Sequence, residues 1–256
     1  MAVSNVSSAV ISAFSAQQQT ASQTSSQNQQ KNPLAALQSK VSSTNTQLSL
    51  FGKVQSSLAD LQARAQALKG FEKSPNLNDL KVAVLGFVQA FNTVHTVVVK
   101  ATQKQAPLAN DSRSTRALAE VSRAVIPPDN TPSRTALEKI GITREKDGSL
   151  SVDQTALEKA LREDQSGTLN TLAGLGQRVE QAAGQQLSSK SGVSAKVSDL
   201  TERANELDKQ QQDLQQRLEA QKNTQQLQAA QLASLGGSTS ASSHNAVATY
   251  IGVASL

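Results

Sequence analysis

The sequence predicts a mainly α fold: long N- and C-terminal helices forming a coiled coil, with a small α+β middle domain containing a β-hairpin. Three observations carry that expectation. Apolar residues recur on a seven-residue pattern near the N-terminus and at alternating steps of three and four near the C-terminus. Between them an Asp-Gly pair flanked by apolar residues interrupts the helical pattern.

Residues 1–31 are low in complexity, rich in Ser, Gln and Ala, and offer little to bury, so they are expected to be disordered unless a partner orders them. Pro33 suits the first helical position, where its missing N–H costs nothing. From there Leu34, Leu37, Val41, Leu48, Phe51 and Leu58 follow the heptad, with Thr44 and Gln55 in polar slots. Leu61, Ala65 and Leu68 continue it after a shift of phase. The spacing predicts one helix over 32–70, about 35 residues and roughly 50 Å long. The turn formers and proline of 70–78 (GFEKSPNLN) end it.

Residues 71–190 form the predicted middle domain. Its first helix carries Leu80, Val84, Phe87, Val88, Phe91, Val94 and Val98 on one face, and the β-branched run Val97–Val99 makes its end a candidate strand. A turn, a short helix and the Pro127-Pro128 loop follow. In LEKIGITREKDGSLSVDQTALEKAL (137–161), Gly141 sits where a helix C-terminus favours positive φ. Asp147-Gly148 predicts a two-residue turn with positive φ at both central positions. Ile142, Leu150 and Val152 then share one face of a hairpin spanning about 141–153, and Asp153 caps the next helix.

The last long helix is predicted over 191–235. Alternate steps of three and four from Val197 reach Leu200, Ala204, Leu207, Gln211, Leu214, Leu218, Gln221, Gln225, Gln228, Leu232 and Leu235. The outer thirds of this stripe are apolar and its middle is glutamine. So narrow a stripe needs a partner helix, either the N-terminal helix or another copy of the chain, and polar slots restrict register and oligomer state. Gly236-Gly237 is expected to end the helix, leaving 236–256 as a flexible tail with a small Tyr250, Ile251, Val253 cluster.

Composition narrows the function. An apolar fraction of 37% and an aromatic fraction of 2% argue against one large compact core, and the absence of cysteine excludes disulfides and thiolate chemistry. The +5 charge is spread among acids, as in Glu202/Arg203 and Arg217/Glu219, with no basic–aromatic interleaving, so no nucleic acid is expected. No signal peptide is expected from the opening residues, and the apolar run 80–100 carries Lys81, Gln89, Asn92 and His95, which favours a buried helix over membrane insertion. Asp147, Gly148 and Asp153 loosely echo a calcium loop, but the first and last ligand positions would be Thr143 and Gln154, so no metal is expected. The two histidines, His95 and His244, pair with nothing, and there is no phosphate loop, serine elbow or carboxylate pair. No catalytic residue and no cofactor are expected: the chain reads as a structural or binding protein, not an enzyme.

Several motifs in order resemble the flagellar filament-capping proteins, the hook-associated protein 2 family. Its N-terminal segment is similar to LAALQSKVSSTNTQLSLFGKVQSSLADLQARAQAL. Its C-terminal segment is similar to GFVQAFNTV, PLANDSRSTRAL, the hairpin piece quoted above, and DLTERANELDKQQQDLQQRLEAQKNTQQLQAAQLASL. The resemblance covers residues 33–235. It implies an extracellular protein exported without a cleaved signal through the flagellar type III apparatus, with that apparatus or a chaperone as partner. It implies a homo-oligomer, commonly a ring of about five, that assists flagellin assembly at the filament tip and so serves motility. The termini would form a helical leg braced by the hairpin. Only about ten residues, Lys69 to Asn78, stand where relatives carry a plate-forming insertion, so the chain looks like a short form, a leg without a plate.

The candidate oligomer and coiled-coil interface is therefore Leu37, Val41, Leu48 and Phe51 facing Leu200, Leu207, Leu214, Leu218, Leu232 and Leu235, with Gly141, Asp147, Gly148 and Asp153 as structural turn residues. The alternative is a cytoplasmic coiled-coil adaptor or export chaperone.

Overall fold

In the computed structural model the backbone is described for residues 4–71, 76–127, 131–190 and 192–253, and side chains for those of them within 33–234. The order is α1 (Ser4–Lys69), α2 (Leu77–Thr102), α3 (Ser112–Val125), α4 (Pro132–Lys139), β1 (Ile142–Arg144), β2 (Leu150–Val152), α5 (Gln154–Glu163), α6 (Gln165–Leu187) and α7 (Gly192–Val253). The fold is mainly α with a two-stranded antiparallel hairpin. Residues 41–205 form one compact unit, and residues 1–40 with 206–256 form another.

The core of the first unit is built on α1. Phe51, Val54, Leu58, Leu61 and Ala65 have no exposed surface, and Leu68 is 1% exposed. Their steps of three and four hold them on one helical face. Phe87, Phe91 and Val94 of α2, Val121 of α3, Leu172, Leu175 and Val179 of α6, and Val193 and Leu200 of α7 belong to the same cluster. Each such side chain contributes about 1.5–3 kcal/mol by leaving water.

Helices α1 and α6 run antiparallel and nearly touch at Gly176, where an added Cβ would lie 2.4 Å from the Ala65 carbonyl oxygen. Gln62 lies beside Gly184, and the Lys69 Nζ–Glu180 pair at 2.8 Å closes the margin. Among the described residues α2 is long and apolar enough to span a membrane, yet Leu80, Val84, Phe87, Val88, Phe91, Val94 and Val98 face into the core. Side chains at i, i+3 and i+4 share that face, so the helix is amphipathic along its buried seam.

Four local expectations give way. Pro33 does not start a helix: α1 runs from Ser4 through it. One proline removes a single ladder bond, and the flanking Ser, Gln and Ala can all be helical. Gly236-Gly237 likewise stays inside α7, since glycine weakens a helix by about 1 kcal/mol without breaking it. Val97–Val99 is helical, because Val94, Val98 and Ala101 are buried at helical spacing and packing overrides the β preference. The side chains of Leu235, Tyr250, Ile251 and Val253 lie outside the described residues.

The fourth is the turn. Gly148 has φ +93, but Asp147 is not among the described residues with positive φ. Gly148 N–H donates to the Glu145 carbonyl at 3.0 Å, and Glu145 N–H to the Ser149 carbonyl at 2.9 Å. This is a three-residue loop, a type I turn followed by a left-handed glycine, so only one residue needs positive φ.

Replacing Gly176 with Ala should lower stability by about 1–3 kcal/mol, because the added methyl group forces α1 and α6 apart. Thermal unfolding monitored by circular dichroism measures this; an unchanged midpoint would contradict the close approach.

Candidate assembly surface

The hairpin is docked by its own backbone chemistry. Ile142 pairs with Val152, Thr143 with Ser151 and Arg144 with Leu150. Asp153 N–H donates to the Gly141 carbonyl at 2.9 Å, so 141/153 and 145/149 are hydrogen-bonded pairs and 144/150 lies between them. The amide and carbonyl of Leu150 therefore point away from β1. Asn92 of α2 satisfies both: its Nδ2 donates to the Leu150 carbonyl at 2.9 Å and its Oδ1 accepts from the Leu150 N–H at 2.7 Å. A side-chain amide replaces the missing third strand. One turn on, His95 lies against the loop, so a Cβ on Gly148 would sit 2.9 Å from its Nε2.

The remaining turn residues act locally. Gly141 has φ +81, and its N–H donates to the Glu138 carbonyl at 3.0 Å. The Asp153 carboxylate caps α5 by accepting from the N–H groups of Thr155 and Ala156 at 2.8 and 3.1 Å. Asp147 accepts from the Ser149 hydroxyl and N–H, which hold its carboxyl below the usual value of 3.8, with His95 adding a smaller pull. Lys81 donates to Glu158 and holds that carboxyl below its usual 4.5, tying α2 to α5.

The seam residues divide by burial. Phe51 and Leu200 lie in the core with Leu48 packed against it, and Gln55 Nε2 donates to Ser194 Oγ at 2.9 Å, so α1 meets α7 within the first unit. Leu37 and Val41 are half-buried. Leu207 is 8% exposed, Leu214 and Leu218 are half-buried, and Leu232 is 59% exposed. The side chain of Leu235 is outside the described residues. The seam thus passes along α7 from core into open surface, and Leu227, which the spacing omitted, is 72% exposed.

Sequence reasoning did not assign Asn92 a task. The signal was a carboxamide on a helix otherwise apolar on that side, but only the fold shows what faces it.

Two grooves flank these elements. One of about 640 Å³ lies between α4, α5 and α6 along Ala136, Ala156, Ala160 and Thr168. The other, about 350 Å³, is lined by Arg113, Arg116, Glu120, Gln185, Gln186 and Gly192. Among the described residues no three His, Cys, Asp or Glu side chains gather to hold a metal.

Residues 54–240 match the family described as flagellar hook-associated protein 2 C-terminus. The chain belongs to this family. Its members are flagellar structural proteins. Among solved structures, the chain is similar to the D1-D2-D3 domains of the flagellar cap protein FliD from Escherichia coli, with 20% identity and a TM-score of 0.42. That likeness covers 49% of this chain and 37% of that one, so the chain spans well under half of that structure's length. No curated protein matches it.

Two outcomes test the docking. Asn92→Leu leaves the Leu150 N–H and carbonyl without partners and should cost about 2–4 kcal/mol; an unchanged melting midpoint would contradict the clamp. Because the Glu158 carboxyl is depressed in the folded state, its contribution is present above pH 4.5 and lost as pH falls below it. Melting midpoints taken down a pH series should fall less steeply below that value in Glu158→Gln than in the parent chain, and equal slopes would contradict the Lys81 tie.

Proposed function

We propose that this chain is a flagellar filament cap or cap-like hook-associated protein that self-associates and assists flagellin assembly at the filament tip by non-covalent packing. Family membership over residues 54–240 supports the flagellar role. The observation that carries self-association is the outward course of the α7 seam, with Leu214 and Leu218 half-buried and Leu232 59% exposed on one helical stripe. Exposed apolar side chains repeating every three and four residues are stabilised by another helix. Phe51, Leu200 and their neighbours are already covered within the chain. The interface between copies therefore draws on Leu214, Leu218, Leu232 and Leu235, and on the half-buried Leu37 and Val41 of α1.

The partners are other copies of the chain, closing into a ring of about five, flagellin with the filament end, and the flagellar export apparatus or its chaperone. Segment 1–31 and tail 236–256 serve as adaptable ends that settle on docking. The connection between α1 and α2 covers only residues 70–76, which leaves no room for a plate domain and makes the chain a short form, working alone or beside a larger cap.

Changing Leu214 and Leu218 together to Asp should reduce the assembly to monomer with the hairpin unit still folded. Light scattering with circular dichroism reads both, and unchanged mass would remove the interface. In cells, the chain should appear on filaments or in culture supernatant only when the flagellar export apparatus is intact. Retention inside cells would favour the adaptor or export-chaperone reading instead.

A further inference from the structure

The face of α3 beside the 350 Å³ groove carries an unbalanced charge. Arg113 and Arg116 are exposed, stand three residues apart on one side of the helix, and line the groove, and neither has an ion pair among the described residues. The nearest acid on that face, Glu120, is engaged elsewhere: its carboxylate accepts a hydrogen bond from the Gln186 amide, a side chain only 8% exposed. Gln186 holds Glu120 against α6, and with two guanidinium groups to one carboxylate the groove keeps a net positive charge. Planar guanidinium groups with several donors bind carboxylates in pairs of parallel hydrogen bonds.

The complement stands on the same chain. On α7, Glu202 and Glu206 are exposed and four residues apart, and neither has an ion pair among the described residues; Glu206 accepts only from the neighbouring Gln210 amide at 3.2 Å. Asp199 pairs with Lys196 at 3.2 Å and Asp213 with Arg217 at 2.9 Å, while Asp208, two residues on from Glu206, stands on the opposite side of the helix. Side chains three or four apart on a helix stand roughly 5–6 Å from each other. Two arginines and two glutamates spaced in this way can meet pair to pair.

We infer that the Arg113/Arg116 groove of one copy receives the Glu202/Glu206 face of α7 from a second copy. This rests on the self-association proposed above and adds the charged surfaces that meet. An arginine face on one copy meeting a glutamate face on another fits a two-fold pair in which both contacts form at once, and equally a head-to-tail ring or filament. The apolar α7 seam supplies affinity, and the charge pairs fix which surfaces meet and in what order.

The test is a reciprocal charge swap in the full chain. Arg113→Glu with Arg116→Glu gives a copy acidic on both faces, and Glu202→Arg with Glu206→Arg gives a copy basic on both. Each variant alone should associate roughly tenfold or more weakly than the parent in sedimentation velocity. Mixed in equal amounts they should associate again as pairs, open chains or even-membered rings in which the two alternate, since each then offers the face the other lacks, and that rescue shows that both are folded. Parent-like association of either variant alone, or failure of the mixture to assemble, would overturn the inference and leave self-association through the leucine seam intact. A parent chain that is monomeric at every concentration would overturn both.

Discussion

Helix α1 buries its seam from Phe51 to Leu68 against α6 and its neighbours, and at Gly176 the two helices come so close that no side chain fits between them. The rest of the unit is arranged on that contact. It fixes the level of α6, against which α3 and α5 pack, and it brings α7 back beside α1 at Gln55 and Ser194. One helix therefore does two tasks. Its second half is a core element, and its first half, beyond Lys40, falls in the other unit. A chain with 2% aromatic residues can hold a folded unit because three of its five phenylalanines, Phe51, Phe87 and Phe91, are buried there and Phe71 packs against them.

The hairpin solves a smaller problem of the same kind. Two three-residue strands are marginal on their own. Here the free edge of β2 is occupied by the Asn92 amide, Ile142 and Leu150 are buried, and the outward face carries the Thr143–Ser151 hydroxyl pair at 2.9 Å. With the Lys81–Glu158 pair beyond it, α2 holds the hairpin and the helix after it at fixed positions. A short strand pair turns the chain back at low cost in length, and α5 and α6 can then lie against the core.

Periodicity in the sequence identified which face of each long helix is apolar, but not what covers it. Phe51 and Leu232 occupy equivalent slots in their stripes, and one is fully buried within the chain while the other is open. Local spacing carries no information about a distant partner. The hairpin was legible from Asp147-Gly148 and the flanking apolar residues, whereas the loop length was not, because it depends on which backbone groups pair. Helix ends failed for a related reason: Pro33 and Gly236-Gly237 weaken a helix by amounts that neighbouring turns offset. Local spacing likewise cannot show that Glu120, on the groove face of α3 with Arg113 and Arg116, is held by Gln186, 66 residues further along the chain.

Hydrogen exchange of the full chain, read segment by segment, tests the division of the seam most directly. In dilute, monomeric protein the amides of 51–68 and 193–204 should exchange only through global unfolding, while those of 214–232 exchange rapidly and become protected as concentration drives assembly. Equal protection of both stretches in the monomer, or no gain in 214–232 on assembly, would contradict the claim that the chain uses the inner part of its apolar stripe for its own core and keeps the outer part for partners.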